Sequence, residues 1–173
     1  TVHAIEQAPD GSIWVGSGKG ICRIVDGRIS SFPLEEKLPR KELLDVQVAA
    51  NGSIWFATQS GACRYDGRVF ERFDVGHGLP DNVVNSILET RDGALWVGTM
   101  TGLARFDGRR FSEPEWLLRF GSRGAANLHE ARDGAIWFGC PDWGLYPGAY
   151  RLEGKSLWKM GKEEGLLDEP VLA

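Results

Sequence analysis

The chain has 173 residues, of which 42% are hydrophobic, and a formal net charge of −4 from 20 basic and 24 acidic side chains. Its length suits one ordinary domain with a sizeable core. The mixed charge lacks the basic patch of a nucleic-acid-binding protein, so we expect no nucleic-acid partner. No apolar run approaches the roughly 18 residues of a membrane span, so we expect no membrane insertion.

Four tryptophans recur at a fixed interval. Trp14, Trp55, Trp96 and Trp137 each follow the one before by 41 residues, inside variants of the phrase Asp-Gly-Ala-Leu-Trp-Val-Gly. A period near 40 with tight turns and alternating apolar residues is typical of propeller blades. The sequence therefore predicts an all-β propeller domain over residues 1–173. Its four blades, each of four antiparallel strands, are predicted near residues 1–32, 43–73, 83–112 and 125–158.

The first blade starts directly at its inner strand. Its segment Gly-Ser-Gly-Lys-Gly at residues 16–20 looks like a phosphate-binding loop, but such a loop reads Gly-x4-Gly-Lys-Ser/Thr and opens a helix. Because residues 57–61 and 98–102 occupy the same place in the next blades, we predict a hairpin turn. Lys19 and Gln59, in two of these turns, are candidate ligand-binding residues.

Two rows on the inner strands emerge by counting back from the tryptophans. Nine residues before them lie Ile5, Val46, Ile87 and Leu128, an apolar row that we expect to be buried between blades. Ten residues before them lie Ala4, Asp45, Ser86 and Asn127, a small or polar row that we expect to face the central channel. Asp45 and Asn127, together with Asn85 on an inner strand, are therefore candidate ligand-binding residues.

The third blade shows the predicted strands most clearly, at residues 83–89, 94–99, 103–106 and 109–112. Between its first two strands, Asp92-Gly93 indicates a type I′ turn, since Gly and Asp tolerate the positive φ that this turn needs. In the fourth blade the spacing from one Asp-Gly-type turn to the next lengthens from 41 to 46 residues. We place this insertion within residues 141–148.

The turns and the loops separate onto two faces. All Asp-Gly turns must lie on one face of the disc, which we call the turn face, because antiparallel strands alternate in direction. The between-blade segments and the middle hairpin turns lie on the opposite face, which we call the loop face. Sequence variation is concentrated there, and variable loops on a rigid scaffold often carry binding. His77, in one between-blade segment, is a further candidate ligand-binding residue.

Two tryptophans outside the period, Trp116 and Trp143, fall on the loop face in neighbouring blades. Flat indole faces beside polar groups suit a glycan or another small amphipathic ligand, so the pair could form one binding platform. The alternative is that Trp116 anchors its long loop and Trp143 fills the insertion. Trp158 is predicted to pack at the rim.

The order Gly-Leu-Pro at residues 78–80, Asp-Gly-Ala-Leu-Trp-Val-Gly at 92–98 and Gly-Leu-Ala-Arg-Phe at 102–106 resembles the two-component regulator propeller repeat. Over nearly its whole length the chain is similar to the sensor region of bacterial hybrid histidine kinases. The resemblance implies ligand recognition on the loop face, a role in signal transduction, and a periplasmic location if the chain is part of a sensor kinase. Members of the family form seven-bladed rings, which four blades cannot complete.

An enzyme is the main alternative. The streptogramin lyases are similar propellers, and His129 with Asp45 on the inner strands is a minimal acid/base pair. We nevertheless expect no catalytic residue, because polar channel residues that only bind water are commoner. The three histidines have no carboxylate or thiolate at ligand spacing, so neither a metal nor another cofactor is expected.

Two repeated positions are predicted to be structural. Cys22 and Cys63 are equivalent and are expected to be small buried hydrophobes, and the odd cysteine count implies no disulfide framework. The second set is expected to pair with neighbouring blades; it consists of Arg23, Arg64, Arg105 and Arg151.

Ring closure is a separate question. Residues 165–171 repeat the register of residues 78–84, so a fifth inner strand would begin where the chain stops. An open half-ring would expose apolar flanks, and such flanks associate. We therefore predict a homodimer that completes an eight-bladed ring. The alternatives are a fragment of a longer ring, a closed four-bladed monomer, and a purely structural half-propeller whose companion blades lie in another chain.

Overall fold

The structure, a computed structural model, describes residues 1–18, 20–32, 43–118, 124–140 and 148–160. In these ranges the strands are β1 Val2–Gln7, β2 Ile13–Ser17, β3 Gly20–Val25, β4 Arg28–Phe32, β5 Leu43–Val48, β6 Ile54–Thr58, β7 Gly61–Tyr65, β8 Phe70–Phe73, β9 Val84–Glu89, β10 Leu95–Thr99, β11 Leu103–Phe106, β12 Phe111–Ser112, β13 Ala126–Glu130, β14 Ile136–Cys140, β15 Gly148–Glu153 and β16 Ser156–Met160. Between blades lie a 3-10 helix, Val75–His77, and a short helix α1, Glu115–Leu118.

The strands form four antiparallel sheets of four, and each sheet follows chain order from its inner to its outer strand. The inner strands β1, β5, β9 and β13 lie next to one another in that order. This is the arrangement of propeller blades, so the predicted all-β propeller class is confirmed. We number the blades 1 to 4 along the chain.

The core lies between blades. Trp55 of blade 2 is 3% exposed and meets Phe106 and Phe111 of blade 3 edge-on, at ring-centroid distances of 5.0 and 6.0 Å. Trp14 of blade 1 is buried in the same way and lies 5.8 Å from the ring of Tyr65 in blade 2. Aromatic pairs of this kind add to the large free energy of apolar burial. The repeated tryptophan therefore joins its own blade to the next one.

The first turn of each blade differs from the predicted type I′ turn. In blade 3 the φ of Gly93 is +81°, but Asp92 is not among the residues with positive φ. Gly93 N donates to Thr90 O at 2.8 Å, which closes a β-turn followed by a left-handed glycine. Asp92 acts instead as an acceptor, since its Oδ1 receives hydrogen bonds from Thr90 Oγ1 and Ala94 N. Positive φ at two successive central residues occurs at Asp26 and Gly27, in the second turn of blade 1.

Hydrogen bonds also cross from blade to blade. Ser86 Oγ of blade 3 accepts a hydrogen bond from Leu128 N of blade 4 at 3.0 Å. In the opposite direction, Glu130 Oε2 of blade 4 accepts one from Arg91 N of blade 3 at 2.8 Å, and Glu89 does the same for the main chain of blade 2. The joints between blades 2 and 3 and between blades 3 and 4 thus combine an apolar core with side chains that satisfy main-chain donors of the adjacent blade.

Blade 1 departs from the expected burial pattern. Ile5 is 63% exposed, whereas its equivalents Val46 and Ile87 are 6% and 3% exposed. The expectation that this row is buried throughout is therefore wrong for Ile5, which has no preceding blade in the described structure to cover it, and Leu128 is only half-buried. Cys22 is likewise only half-buried, while its equivalent Cys63 is buried, and neither of these two cysteines is in a disulfide.

The repeated arginines pack on their own blade. The Cζ atoms of Arg23 and Arg64 lie 5.5 and 5.7 Å from the ring centroids of Trp14 and Trp55. Arg64 Nη2 also pairs with Glu71 of the same blade at 2.6 Å. The expected pairing with neighbouring blades is therefore wrong for these two arginines, because each side chain runs across its own sheet.

Candidate functional site

The inner strands are interrupted near the same level in every blade. The register of β1, β5 and β9 against their neighbours shifts at His3, Leu44 and Asn85, and that of β13 shifts over two residues, the first of which is Asn127. Such a shift is a β-bulge, which re-aims a side chain and is over-represented next to active sites. Because the inner strands start at the loop face, the bulges lie at the loop-face ends of the inner strands, which we call the mouth. We call these four residues the bulge residues.

The bulge residues differ in chemistry. His3 and Asn127 are exposed, and Asn127 has a φ of +53°, which asparagine tolerates better than most residues. Asn85 is half-buried, and its Nδ2 donates to Ala125 O of blade 4 at 3.2 Å. Leu44 packs against the core between blades 2 and 3. The mouth therefore presents an imidazole, two amides and one apolar side chain.

Asp45, beside the bulge in blade 2, is engaged in the joint. Its Oδ1 accepts a hydrogen bond from Val46 N at 2.8 Å, and its Oδ2 accepts one from Ile87 N of blade 3 at 2.9 Å. Burial raises the pKa of this carboxyl, although these hydrogen bonds and one to Ser86 oppose the rise. Asp45 and Ser86 therefore do not face the channel as expected. Their side chains point to the next blade, because each accepts a hydrogen bond from the next inner strand.

The sequence offers a matched substitution for this acceptor. Serine stands at the equivalent position of blade 3, where the hydroxyl of Ser86 accepts the interblade hydrogen bond. We expect Asp45→Ser to change the free energy of unfolding by less than about 1 kcal/mol at neutral pH. Asp45→Ala should cost about 1–3 kcal/mol, because it leaves the buried N–H of Ile87 without an acceptor. Urea denaturation measures both, and equal losses in the two variants would contradict the acceptor role.

The difference in stability between the wild type and Asp45→Ser is expected to depend on pH. The pKa of Asp45 is raised in the folded state, so its ionisation disfavours folding, and the penalty disappears as pH falls toward the ordinary value of 3.8. Glu6, whose pKa is raised by burial and by the charge of Asp45, acts in the same direction. The wild type should therefore gain stability relative to Asp45→Ser between neutral pH and about pH 4.5. A difference that does not change with pH would count against this interpretation.

Two other predicted ligand residues with a described position, His77 and Gln59, lie in loops and not on the inner strands. His77 ends the 3-10 helix and is exposed, with its Nδ1 2.8 Å from Asp74 Oδ1. Gln59 is half-buried in the turn between β6 and β7. Lys19 and Trp143 lie outside the described residues, as does nearly all of the insertion predicted in blade 4.

Trp116 lies in α1 and is half-buried against the core between blades 3 and 4. Glu113, three residues before Trp116, is also closely packed. A Cβ at Gly102 would lie only 3.0 Å from Pro80 Cβ and 3.3 Å from Glu113 Oε1, and burial raises the pKa of Glu113. The packing of Trp116 against this core supports its anchoring role, while its part in a platform with Trp143 stays a prediction.

The described residues also form a groove at each joint on the turn face, which the sequence interpretation missed. The groove between blades 2 and 3 has a volume of about 400 Å³ and is lined by Trp55, Arg64 and Arg105 among others. Its equivalents at the other two joints have volumes of about 240 and 370 Å³. The recurring tryptophan and arginine were the available signal. Because the groove recurs at every joint, we attribute it to the scaffold.

The acid/base pair considered for an enzyme is not brought together by the described contacts. His129 is exposed on β13 of blade 4, whereas the Asp45 carboxylate is bonded to the main chain of blades 2 and 3. The inner strand of blade 3 lies between these two strands. Among the residues with a described position, no group of three or more His, Cys, Asp or Glu side chains is placed to hold a metal ion. No helix in those ranges is long and apolar enough to cross a membrane.

Comparison with known proteins identifies the repeat. Residues 78–101 match the two-component regulator propeller family, and this segment contains the Gly-Leu-Pro motif with the first two strands of blade 3. A search of curated proteins gives no matching sequence.

Solved structures share the fold. The extracellular domain of a hybrid two-component system from B. thetaiotaomicron is 22% identical with a TM-score of 0.70, over 86% of this chain and 21% of that one. A virginiamycin B lyase from Staphylococcus aureus, in a structure with quinupristin, is 18% identical with a TM-score of 0.73, over 94% of this chain and 57% of that one. PorZ, a surface component of the type-IX secretion system of Porphyromonas gingivalis, is 12% identical with a TM-score of 0.71, over 97% and 28%.

The chain thus spans between about a fifth and somewhat more than half of the proteins whose fold it shares. The predicted resemblance to the regulator propellers is confirmed by the family match and by the first of these structures. Residues 78–101 therefore match the two-component regulator propeller repeat and lie within four blades of the propeller fold.

Proposed function

We propose that this propeller is a ligand-recognition module of the sensor type, which binds a glycan at the loop-face mouth of its channel. The bulge residues carry the proposal. Near the loop-face ends of the inner strands, the bulges contain His3, Leu44, Asn85 and Asn127, and the residue changes between the equivalent positions 3, 44 and 85. A scaffold position would repeat from blade to blade, as the tryptophan does, whereas a binding position has no reason to repeat.

Repeated positions among the described residues are engaged in structural contacts, which supports this choice of site. The repeat tryptophans of blades 1 to 3 are buried in the joints, and the turn aspartates accept hydrogen bonds from their own loops. Imidazole and amide groups can both donate and accept hydrogen bonds, which suits the hydroxyl groups of a sugar. A few such polar groups beside apolar surface are typical of small-ligand sites.

The sensor role and a periplasmic location rest on similarity. The chain carries a regulator propeller repeat, and one structure of the same fold is the extracellular domain of a hybrid two-component system. We therefore propose that ligand binding here is read by another part of a signalling protein.

A lyase-like enzyme is the second candidate, favoured by the TM-score of 0.73 to virginiamycin B lyase. Lyase chemistry of the kind considered from the sequence needs an acid and a base that meet at the substrate. Since the carboxylate of Asp45 already accepts hydrogen bonds from two main-chain N–H groups, we favour binding without turnover.

The test is titration of the chain with a panel of oligosaccharide fragments. Binding is measured by calorimetry and by the change in tryptophan fluorescence. Asn85→Ala and His3→Ala should each weaken binding about tenfold, the effect of losing one hydrogen bond of ordinary strength. From the platform prediction, Trp143→Ala should abolish the fluorescence response and Trp158→Ala should preserve it.

Arg68→Ala is the control, because Arg68 is exposed in a turn on the opposite face. A panel without binding would reject the glycan. A ligand whose affinity survives both bulge substitutions would place the site elsewhere, and turnover that is lost in His129→Ala would favour the enzyme.

A further inference from the structure

The first turn of blade 2 differs from the same turn of the other blades by one functional group. The residue before the turn glycine is Asp10, Asp92 or Asp133 in blades 1, 3 and 4, whereas blade 2 has Asn51. The backbone is otherwise the same, since the four glycines have φ values between +81° and +87°. Each glycine N–H donates to the main-chain oxygen three residues before it. An amide therefore stands where the scaffold elsewhere has a carboxylate.

Asn51 is followed by Gly52, the arrangement in which an asparagine side chain most easily loses its amide group. The main-chain nitrogen of the next residue can attack the side-chain carbonyl carbon, and a glycine leaves this nitrogen unhindered because it has no Cβ. Both residues are exposed to water. The other three asparagines of the sequence, Asn82, Asn85 and Asn127, are followed by valine, serine and leucine. Asn51 is therefore the asparagine whose neighbour hinders this attack least.

Contacts within the turn polarise the carbonyl group that would be attacked. Asn51 Oδ1 accepts hydrogen bonds from Ser53 N at 2.9 Å and from Ser53 Oγ at 2.7 Å. Donors aimed at an oxygen that gains negative charge lower the barrier to attack on its carbon. The N–H of Gly52 donates to Ala49 O at 2.8 Å, so this hydrogen bond must open first. Because hydrogen bonds in exposed turns open at little cost, it slows the reaction and does not prevent it.

We propose that Asn51 is a site of spontaneous deamidation, with water as the second reactant. The nitrogen of Gly52 forms a bond to Cγ of Asn51, and the side-chain nitrogen leaves as ammonia with the proton that Gly52 gives up. Water then adds to Cγ of the cyclic imide, and the bond from Cγ to the Gly52 nitrogen breaks. In total one water is consumed and one ammonia is released, and a carboxylate replaces the amide.

The scaffold accommodates this product, because the other blades already carry it. In blade 1, Asp10 Oδ1 accepts the same two hydrogen bonds from Ser12, at 2.9 Å from the main-chain nitrogen and 2.6 Å from the hydroxyl. The second oxygen of Asp10 pairs with Arg23. In blade 4, Asp133 pairs with Arg151 at 3.1 Å. A carboxylate in this turn thus keeps the hydrogen bonds of the loop and gains an arginine.

Arg64 is the equivalent arginine of blade 2. It lines the same turn-face groove as Asn51, and its Nη2 pairs with Glu71 at 2.6 Å. A carboxylate at position 51 gives this arginine a second acidic partner. The imide can also open at the main-chain carbonyl, which yields isoaspartate and lengthens the main chain by one carbon. That product does not fit a turn closed by the hydrogen bond from Gly52 N to Ala49 O, so aspartate is the product that stabilises the fold.

The experiment is storage of the folded chain in mildly alkaline buffer, followed by peptide mapping with mass spectrometry. We expect the peptide with Asn51 to change from amide to acid while the peptides with the other three asparagines stay unchanged. Gly52→Ala should suppress the change, because its methyl group hinders the attacking nitrogen. A Cβ at Gly52 meets nothing within 4 Å, so the fold is kept. Gly93→Ala is the matched control, since it makes the same backbone change in blade 3 and should leave the conversion of Asn51 unaffected.

Asn51→Asp tests whether the scaffold accepts the product. A hydrogen bond from Ser12 lowers the pKa of Asp10, and one from Ala135 lowers the pKa of Asp133. A carboxyl whose pKa is lowered on folding stabilises the fold above its unfolded pKa, and this stabilisation is lost as pH falls through the folded one. Asn51→Asp should therefore raise the melting temperature at neutral pH, and the gain should vanish in acid.

Two sets of results would overturn the proposal. An amide at Asn51 that lasts as long as those of the other asparagines, or that is lost equally fast in Gly52→Ala, would reject the site. A melting temperature that is unchanged or lower in Asn51→Asp would reject the fit of the product to the turn. None of these measurements involves a ligand, so the proposed function is tested separately.

Discussion

Trp55→Ala is expected to cost about 3–5 kcal/mol of the free energy of unfolding, the usual loss for a large aromatic side chain removed from a core. The indole is 3% exposed and has three aromatic neighbours. Phe73 of its own blade lies 5.4 Å away, and Phe106 and Phe111 of blade 3 lie 5.0 and 6.0 Å away, between ring centroids. The substitution would leave a cavity between two blades, and the two blades cannot both collapse to fill it. Urea denaturation followed by circular dichroism measures the loss.

Trp158→Ala is the control for this change. That indole is 43% exposed on the outer strand of blade 4, and we expect its removal to cost about 1 kcal/mol or less in the monomer. The comparison should be made at a concentration where both proteins have the same mass. Equal losses at the two positions would show that the 41-residue period does not mark the joints.

Gly78→Ala is expected to cost about 2–5 kcal/mol. Gly78 has a φ of +91°, where an alanine pays about 1–2 kcal/mol for the left-handed backbone. A Cβ at this position would also lie 1.9 Å from the carbonyl oxygen of Phe111, so backbone must move as well. An overpacked position of this kind costs about 1–3 kcal/mol more. Thermal and urea denaturation measure the sum.

Gly93→Ala isolates the backbone term. Its φ of +81° is close to that of Gly78, but a Cβ there would meet nothing within 4 Å. We therefore expect only the left-handed cost of about 1–2 kcal/mol. If both variants lost the same amount, the close approach between Gly78 and Phe111 would have no energetic weight, and the glycine of the Gly-Leu-Pro motif would be explained by φ alone.

The blades themselves could be predicted from the sequence because the information lies in short-range spacing. A tryptophan every 41 residues, flanked by glycine turns and alternating apolar positions, is enough to define four strands per repeat. The turn type could not be read in the same way. Asp92-Gly93 fits type I′ by composition, but the aspartate instead holds the loop by accepting two hydrogen bonds. Composition does not distinguish these two uses of aspartate.

The candidate site was harder to predict, since it depends on register between strands. Asn85 and Asn127 were found as polar residues on inner strands, but nothing in the sequence marks the bulges that include them and His3. Asp45 illustrates the opposite error. A polar residue on an inner strand looked available for a ligand, and only the structure shows that the main chain of the next blade uses its carboxylate.

The joints have a consequence for how such a chain can change in length. The described side-chain hydrogen bonds between blades link positions about one repeat apart, 42 residues for Asp45 to Ile87 and for Ser86 to Leu128. Duplication of one whole repeat therefore supplies an acceptor and a donor, and a tryptophan and its socket, in the same event. A partial duplication would leave main-chain donors without acceptors inside a joint. Selection for satisfied hydrogen bonds alone would thus favour growth of this gene in whole units of one blade.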